Sequence, residues 1–159
     1  MKHFIVIIST FLVMQAQAQQ TDYHFSHTDN TTATSDKIWE VWTDVPNWKQ
    51  WDKGLKEASL EGEFIVGTKG KLIPDKGPKA KFVISEIEPN NSYTFKTKIP
   101  FGWLIIKRTL EVKEGETFFT HDVKFTGLLK KILGKKLGKN YREMLPSVMA
   151  EIKQLAESK

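Results

Sequence analysis

The chain of 159 residues contains no cysteine. It therefore has no thiol for a disulfide, a zinc–thiolate site, a nucleophile or the lipid anchor of a mature N-terminus. Stability must come from ordinary packing, and a chain of this length can build one core. The formal net charge is only +5, with lysines scattered along the chain, so we expect no nucleic-acid partner.

Several catalytic and metal-binding motifs are also missing. No H-E-x-x-H pair or G-x-S-x-G elbow occurs, and Gly67 is followed by Thr68 where a phosphate-binding loop needs lysine. His24 and His27 lie three residues apart on a predicted strand, so their side chains face opposite sides and cannot share one metal ion. We therefore expect no metal site and no cofactor.

Residues 1–18 have the pattern of a secretory signal peptide. Lys2 precedes an apolar run, Phe4 to Met14, which is followed by small residues up to Ala18. The run is too short for a membrane span, which needs about 20 apolar residues. We expect cleavage after Ala18, one mature domain over residues 19–159, and a periplasmic or secreted location.

The stretch from Leu128 to Leu155 organises the predicted fold. Its apolar residues recur at three- and four-residue steps, which places them along one side of an α-helix. They are Leu129, Ile132, Leu133, Leu137, Tyr141, Met144, Leu145, Val148, Ile152 and Leu155. The segment from Lys53 to Gly127 is typical of short strands separated by turns. We therefore predict an α+β fold, with one curved antiparallel sheet wrapped around a long C-terminal helix.

Two short helices are predicted before most of the sheet. Aromatic alternation over residues 22–32 indicates a first strand. Thr34 or Ser35 then caps a helix, and Pro46 starts a second one. The helices carry four tryptophans, Trp39, Trp42, Trp48 and Trp51. Such a cluster either packs the core, which is the commoner role, or forms a stacking platform for sugars or bases.

One hairpin can be predicted residue by residue. A two-residue turn at Glu114 and Gly115 fixes the register of the strands on either side. The register groups apolar side chains on one side of the sheet and opposes charges on the other. The predicted pairs are Leu104 with Phe125, Ile106 with Val123, Lys107 with Asp122, Arg108 with His121, Leu110 with Phe119 and Lys113 with Glu116.

Two segments resemble a known superfamily. The run Ile38 to Asp52, followed by Glu61 and Gly62, looks like the opening of SRPBCC or START-like (Bet v 1-like) domains. Thr120 to Leu128, leading into a long helix, resembles the polyketide cyclase/dehydrase and lipid transport branch. The resemblance implies a helix-grip fold with a deep apolar cavity. Activities in the superfamily range from lipid transport and hormone binding to ring cyclisation, so the fold alone does not decide the function.

The similarity covers residues 25–155 and implies a cavity between the sheet and the helix. Strand alternation and the helical stripe give the candidate lining residues. They are Val83, Ser85, Tyr93, Phe95, Thr97, Ile106, Arg108, Leu110, Phe119, His121, Val123, Tyr141, Met144, Leu145 and Val148. The expected partner is a small hydrophobic ligand, either a lipid or an aromatic or polyketide-like compound. The alternative is that these side chains simply fill the core.

Arg108 and His121 are the chemical exception on this apolar side. A guanidinium is costly to bury unless something pairs with it, and its charge disfavours protonation of a neighbouring imidazole. The pair is structural if Arg108 reaches water or a carboxylate such as Asp52. It is ligand-orienting if Arg108 holds a carboxylate or enolate, and catalytic if His121 also acts as general base. The sequence leaves enzymatic activity open.

A basic run opens the long helix. It consists of Lys130, Lys131, Lys135, Lys136 and Lys139. Together with neighbouring leucines and isoleucine, these lysines resemble a helix that lies on an anionic membrane surface. The alternative is a solvated helix face, so weak membrane contact is the most that the sequence predicts.

Overall fold

A computed structural model describes residues 20–159 of the chain, and the predicted signal peptide lies outside them. In this part of the chain the strands are β1 His24–Thr31, β2 Leu55–Leu60, β3 Lys69–Pro74, β4 Ala80–Glu88, β5 Ser92–Ile99, β6 Gly102–Lys113 and β7 Glu116–Phe125. All seven form one antiparallel sheet, in the order β1-β7-β6-β5-β4-β3-β2.

The helices lie between β1 and β2 and at the C-terminus. The first pair is α1, Ser35–Thr43, and a 3₁₀ helix, Val45–Gln50. The C-terminal helix begins as α2, Lys130–Leu133, passes through a π-helical turn, Gly134–Gly138, and ends as α3, Lys139–Glu157. The sheet and this helix share one core, which confirms the predicted helix-grip α+β fold.

The hairpin of β6 and β7 has the predicted register. All six predicted pairs, from Leu104 with Phe125 to Lys113 with Glu116, lie opposite each other. Glu114 and Gly115 both have positive φ, 52° and 85°, as a type I′ turn requires. This turn follows the right-handed twist of the strands, and it therefore fixes the register that opposes Arg108 and His121.

The core lies between the concave side of the sheet, α1, the 3₁₀ helix and α3. From α3 it contains Leu145, Val148, Met149, Ile152 and Ala156. Trp42, Trp48 and Trp51 are fully buried, and Trp48 Nε1 donates a hydrogen bond to the Trp42 carbonyl at 2.8 Å. The tryptophans pack the core and position the 3₁₀ helix under the sheet.

The first part of the predicted helical stripe is not buried. Ile132 and Leu137 are 59% and 53% exposed. Gly134 and Gly138 instead face the protein, pressed against the backbone carbonyl of Asp22. The π-helical turn adds a residue to one helical turn, so the face that contacts the sheet changes along the helix. The prediction of one continuous stripe from Leu129 to Leu155 was therefore wrong at its start.

A β-bulge in β4 corrects a second prediction. The pairing shifts between Ile84 and Glu86, so alternation counted through the strand fails there. Val83 lies opposite Lys69 and Lys96 on the outer side of the sheet, while its neighbours Phe82 and Ile84 are buried. Ser85 sits at the bulge, where its hydroxyl donates to the Thr94 carbonyl at 3.2 Å. The predicted inward positions of Val83 and Ser85 were wrong.

Candidate functional site

Three polar residues form a row across the concave side of the sheet. Tyr93 on β5 lies opposite Arg108 on β6, which lies opposite His121 on β7. All three are buried, and Arg108 and His121 are only 1% and 0% exposed. The predicted pair is therefore part of a longer row of polar groups inside an apolar core.

The Arg108 guanidinium is surrounded by aromatic rings. Its Cζ lies 4.9 Å from the ring centroid of Trp48 and 4.7 Å from that of Trp51, with Tyr93 and Phe95 at 5.4 Å and 5.6 Å. Cation–π contacts of this kind contribute about 0.5–2 kcal/mol each, most when desolvated. The rings therefore offset part of the cost of burying the charge.

The hydrogen bonds of Arg108 go to neutral acceptors. Nη1 donates to the Tyr93 hydroxyl, and Nε donates to Nδ1 of His121 at 3.4 Å. Among residues 20–159, no carboxylate oxygen lies within 4.0 Å of an Arg108 nitrogen, and Nη2 makes no hydrogen bond. The site therefore contains a buried cation without a paired anion.

The Arg108 contact fixes the tautomer of His121. Burial and the charge of Arg108 hold the pKa of His121 well below its ordinary value, so the imidazole is neutral at pH 7. Because Nε of Arg108 can only donate, Nδ1 accepts and the imidazole proton is on Nε2. Nε2 lies 3.4 Å from the Tyr141 hydroxyl, to which it donates. The Tyr141 hydroxyl proton is left free to donate elsewhere.

Asp52 and the tyrosines are protonated more readily than exposed side chains of the same kind. Burial raises the pKa of Asp52, although the Gly54 N–H and the charge of Arg108 act in the opposite direction. Burial also raises the pKa of Tyr93 to about 12, and burial and the Asp52 carboxylate raise that of Tyr141. Both phenols therefore keep their protons at neutral pH.

A cavity of about 80 Å³ opens beside this row. Its wall is mostly apolar, with polar groups from the 3₁₀ helix region, β5, β6 and α3. The lining residues are Trp48, Asp52, Leu55, Leu72, Phe95, Thr97, Leu104, Ile106, Arg108 and Tyr141. The unpaired Arg108 and the free hydroxyl of Tyr141 thus face the same space.

The structure divides the residues predicted from sequence into three groups. Phe95, Thr97, Ile106, Arg108 and Tyr141 line the cavity. Tyr93, Leu110, Phe119, His121, Val123, Leu145 and Val148 are buried in the surrounding core, and Met144 is half-buried against Gly54. Val83 and Ser85 lie away from the cavity. Ligand binding by any of these residues stays a prediction.

Several lining residues were missed or only touched on by the sequence argument. Asp52 was considered only as a partner for Arg108, and Trp48 only as core packing or as part of a stacking platform. The spacing of Trp48 and Trp51 is a signal, because residues three apart eclipse each other on a 3₁₀ helix and face one side. Leu55 and Leu72 lie on the irregular strands β2 and β3, where the register shifts and alternation gives no side.

The fold and the cavity define a helix-grip domain with a polar row beside an apolar pocket. The family model described as polyketide cyclase / dehydrase and lipid transport matches residues 23–153. The chain therefore belongs to this family, within the SRPBCC or Bet v 1-like superfamily. No protein with curated function matches the chain.

Solved structures show the same fold at low sequence identity. Norcoclaurine synthase from Thalictrum flavum has a TM-score of 0.64 and 13% identity, and the match covers 95% of this chain and 100% of the synthase. Ara h 8.0201 has a TM-score of 0.68 and 15% identity, and the match covers 86% of this chain and 99% of Ara h 8.0201. A protein from Arthrobacter aurescens has a TM-score of 0.66 and 19% identity, and the match covers 89% of this chain and 91% of that protein. At these identities the likeness supports the fold alone.

Proposed function

We propose that the protein is an exported binding protein that holds a small apolar molecule between the sheet and the C-terminal helix. The cavity carries this proposal, because its wall is mostly apolar and its few polar groups can orient a guest. Membership of a family named in part for lipid transport supports the same role. The predicted signal peptide, residues 1–18, supports export.

The size of the cavity limits how a guest would sit. About 80 Å³ exceeds the roughly 10–15 Å³ that a single water needs, but it is small for a whole lipid. A longer apolar body would extend along Leu72 and Leu104, which are only half-buried and belong to different strands. Burial of the guest would supply about 25 cal/mol per Å² of apolar surface removed from water.

A neutral apolar dye tests the proposal. Titration with N-phenyl-1-naphthylamine is expected to give a saturable rise in fluorescence. Leu104→Trp, which fills the cavity, is expected to abolish it, whereas Leu60→Trp, a half-buried leucine outside the cavity wall, keeps it. A correctly folded wild-type protein with no saturable uptake would contradict the proposal.

A second candidate is an enzyme of the cyclase/dehydrase kind that uses Arg108 and His121. The observation in its favour is the chain of hydrogen bonds from Arg108 through His121 to Tyr141, since the last of these faces the cavity. His121 does not line the cavity and its Nε2 already carries the imidazole proton, so the group that would donate a proton to the guest is the Tyr141 hydroxyl, whose phenolate the Nε2–H of His121 would stabilise.

Turnover of a linear poly-β-ketone separates the enzyme from the binder. An enzyme would lose turnover in His121→Gln and Arg108→Met, with the fold intact by circular dichroism. A passive binder would show no turnover in the wild type, and its variants would change only in affinity.

Contact with an anionic membrane surface is a third candidate. Leu128 and Phe101 are 86% and 74% exposed, and the Leu128 N–H donates to the Phe101 carbonyl at 3.3 Å, which joins the β5–β6 turn to the helix start. We call this region the basic apolar surface. It contains Phe101, Trp103, Leu128, Lys130, Lys131, Ile132, Lys135, Lys136, Leu137 and Lys139. Exposed apolar side chains among lysines are the composition of interfacial membrane helices.

The proposed contact would be peripheral. Within residues 20–159, none of the helices has the length and hydrophobicity needed to cross a bilayer.

A further inference from the structure

The cavity is lined by a buried cation that has no paired anion among the described residues. Arg108 is permanently charged and 1% exposed, yet within residues 20–159 its only hydrogen-bond partners are the neutral Tyr93 and His121. Both protons on Nη2 and one on Nη1 lack an acceptor among these residues. Because Arg108 lines the cavity, an acceptor on a bound molecule could accept hydrogen bonds from these N–H groups.

Tyr141 adds a second donor to the same space. Its oxygen accepts from His121 Nε2, so its own proton is free, and no other hydrogen bond to this hydroxyl forms among the described residues. The two donors come from different elements, β6 and α3, and both residues contact His121. The imidazole therefore holds the two donors in a fixed relation.

We propose that the cavity binds an amphiphilic monocarboxylic acid, whose carboxylate accepts hydrogen bonds from Arg108 and Tyr141. This inference rests on the proposed binding function and names the chemical class of the guest. The planar guanidinium offers two parallel N–H groups that match the two oxygens of a carboxylate. The apolar body of the acid lies against Leu55, Leu72 and Leu104, which line the same cavity.

Asp52 sets the specificity of this arrangement. It lines the same cavity, and one carboxylate oxygen accepts from the Gly54 N–H at 3.0 Å. Its oxygens lie more than 4.0 Å from the Arg108 nitrogens, so it does not form a close ion pair with the guanidinium. An ionised Asp52 opposes a second anion, and Asp52→Asn is therefore expected to tighten carboxylate binding.

Calorimetric titration with three chain-matched probes tests the head group. At pH 7, octanoate is expected to bind the wild-type protein at least about tenfold more tightly than 1-octanol, since one charge-assisted hydrogen bond is enough for a factor of this size. Octylamine, whose cation faces Arg108, is expected to bind least.

Variants assign the effect to the two donors. Tyr141→Phe removes one hydroxyl from the cavity wall and is expected to weaken octanoate by about tenfold, with 1-octanol unchanged. Tyr23→Phe removes a hydroxyl outside the cavity and is the matched control. Arg108→Met is expected to abolish the preference for octanoate. If this variant does not fold, the three-probe comparison on the wild type and Tyr141→Phe still decide the question.

The outcomes separate the inference from the function on which it rests. Equal affinity for octanoate and 1-octanol would overturn the carboxylate assignment and leave apolar binding intact. Weaker octanoate binding in Asp52→Asn would also overturn it, because Asp52 would then act with Arg108 and not against the guest. If none of the probes bound, both the inference and the proposed binding function would be overturned.

Discussion

Arg108 donates a hydrogen bond from Nε to Nδ1 of His121 across the β6–β7 pair, at 3.4 Å. A cation and an imidazole thus share a buried site, and this is possible because the imidazole stays neutral. The same contact places the imidazole proton on Nε2, toward Tyr141. One interstrand pair therefore determines both the charge of the site and the direction of its hydrogen bonds.

The low pKa of His121 predicts a loss of stability in mild acid. The unfolded chain takes up a proton near pH 6.5 and the folded chain does not, so the free energy of unfolding is highest above this pH. Below it, the free energy of unfolding falls by up to about 1.4 kcal/mol per pH unit until the folded pKa is reached. Urea denaturation between pH 7.5 and 5.5 measures this slope.

Two variants, measured by the same urea denaturation series, show which group causes the slope. His121→Gln keeps an acceptor for Arg108 and is expected to remove the slope. An unchanged slope in this variant would mean that another group causes it. The raised pKa of Asp52 acts with the opposite sign, because the folded protein takes up the Asp52 proton at a higher pH than the unfolded chain, whose carboxyl titrates near 3.8. The free energy of unfolding therefore rises as the pH falls through the folded pKa of Asp52. Asp52→Asn removes this opposing contribution.

Gly138 is expected to tolerate no side chain. A Cβ at this position would lie 2.5 Å from the Asp22 carbonyl oxygen, so Gly138→Ala must push the helix away from the start of β1. We expect the free energy of unfolding to fall by about 1–3 kcal/mol, despite the better helix propensity of alanine. Thermal denaturation measures the change. Gly62→Ala is the control, because its nearest neighbour would lie at 3.9 Å, and a similar loss there would contradict the packing explanation.

The hairpin turn offers a stabilising substitution. Glu114 adopts a φ of 52°, which non-glycine residues rarely do, and asparagine tolerates this conformation best. Glu114→Asn is therefore expected to raise the free energy of unfolding by about 0.5–1 kcal/mol, a part of the roughly 1–3 kcal/mol that a strained left-handed backbone costs. Gly115→Ala, at a φ of 85°, is expected to lower it. If asparagine destabilised the protein, the type I′ assignment of the turn would be wrong.

The basic apolar surface predicts salt-sensitive binding to vesicles. Co-sedimentation with vesicles containing phosphatidylserine is expected to exceed that with phosphatidylcholine alone and to fall as salt is raised. Lys135→Glu with Lys136→Glu is expected to abolish binding, and Leu137→Ser to weaken it. The matched control is Lys76→Glu with Lys79→Glu, two exposed lysines in the β3–β4 loop. Equal binding to both kinds of vesicle would exclude the membrane contact.

Much of the fold was predictable because it depends on regular patterns. The Glu114–Gly115 turn fixed every pair of the last hairpin, and through that register it opposed Arg108 and His121. The three-to-four periodicity located α3. Both patterns depend on local backbone geometry, which can be inferred from the sequence without knowing which residues pack together in the folded protein.

The cavity was less predictable because single-residue irregularities determine it. The bulge at Ser85 reverses the sides of the first half of β4, so Val83 points outward where Phe82 and Ile84 point inward. Such insertions have no compositional signature. Asp52 and Leu72 reach the cavity only through the tertiary packing of the 3₁₀ helix region and β3, which no local pattern encodes.

The π-helical turn between Gly134 and Gly138 implies that the spacing of the C-terminal helix is tuned by one amino acid. The wide turn absorbs an extra residue, so deleting Lys136 would let the turn relax to an ordinary α-helix without rotating α3, and Tyr141 would keep its contact with His121. A residue inserted into α3 before Tyr141 has no such turn to absorb it, and at about 100° of rotation per residue it would turn Tyr141 away from His121. The C-terminal helix is therefore expected to accept a shortened chain at this turn and to reject a lengthened one.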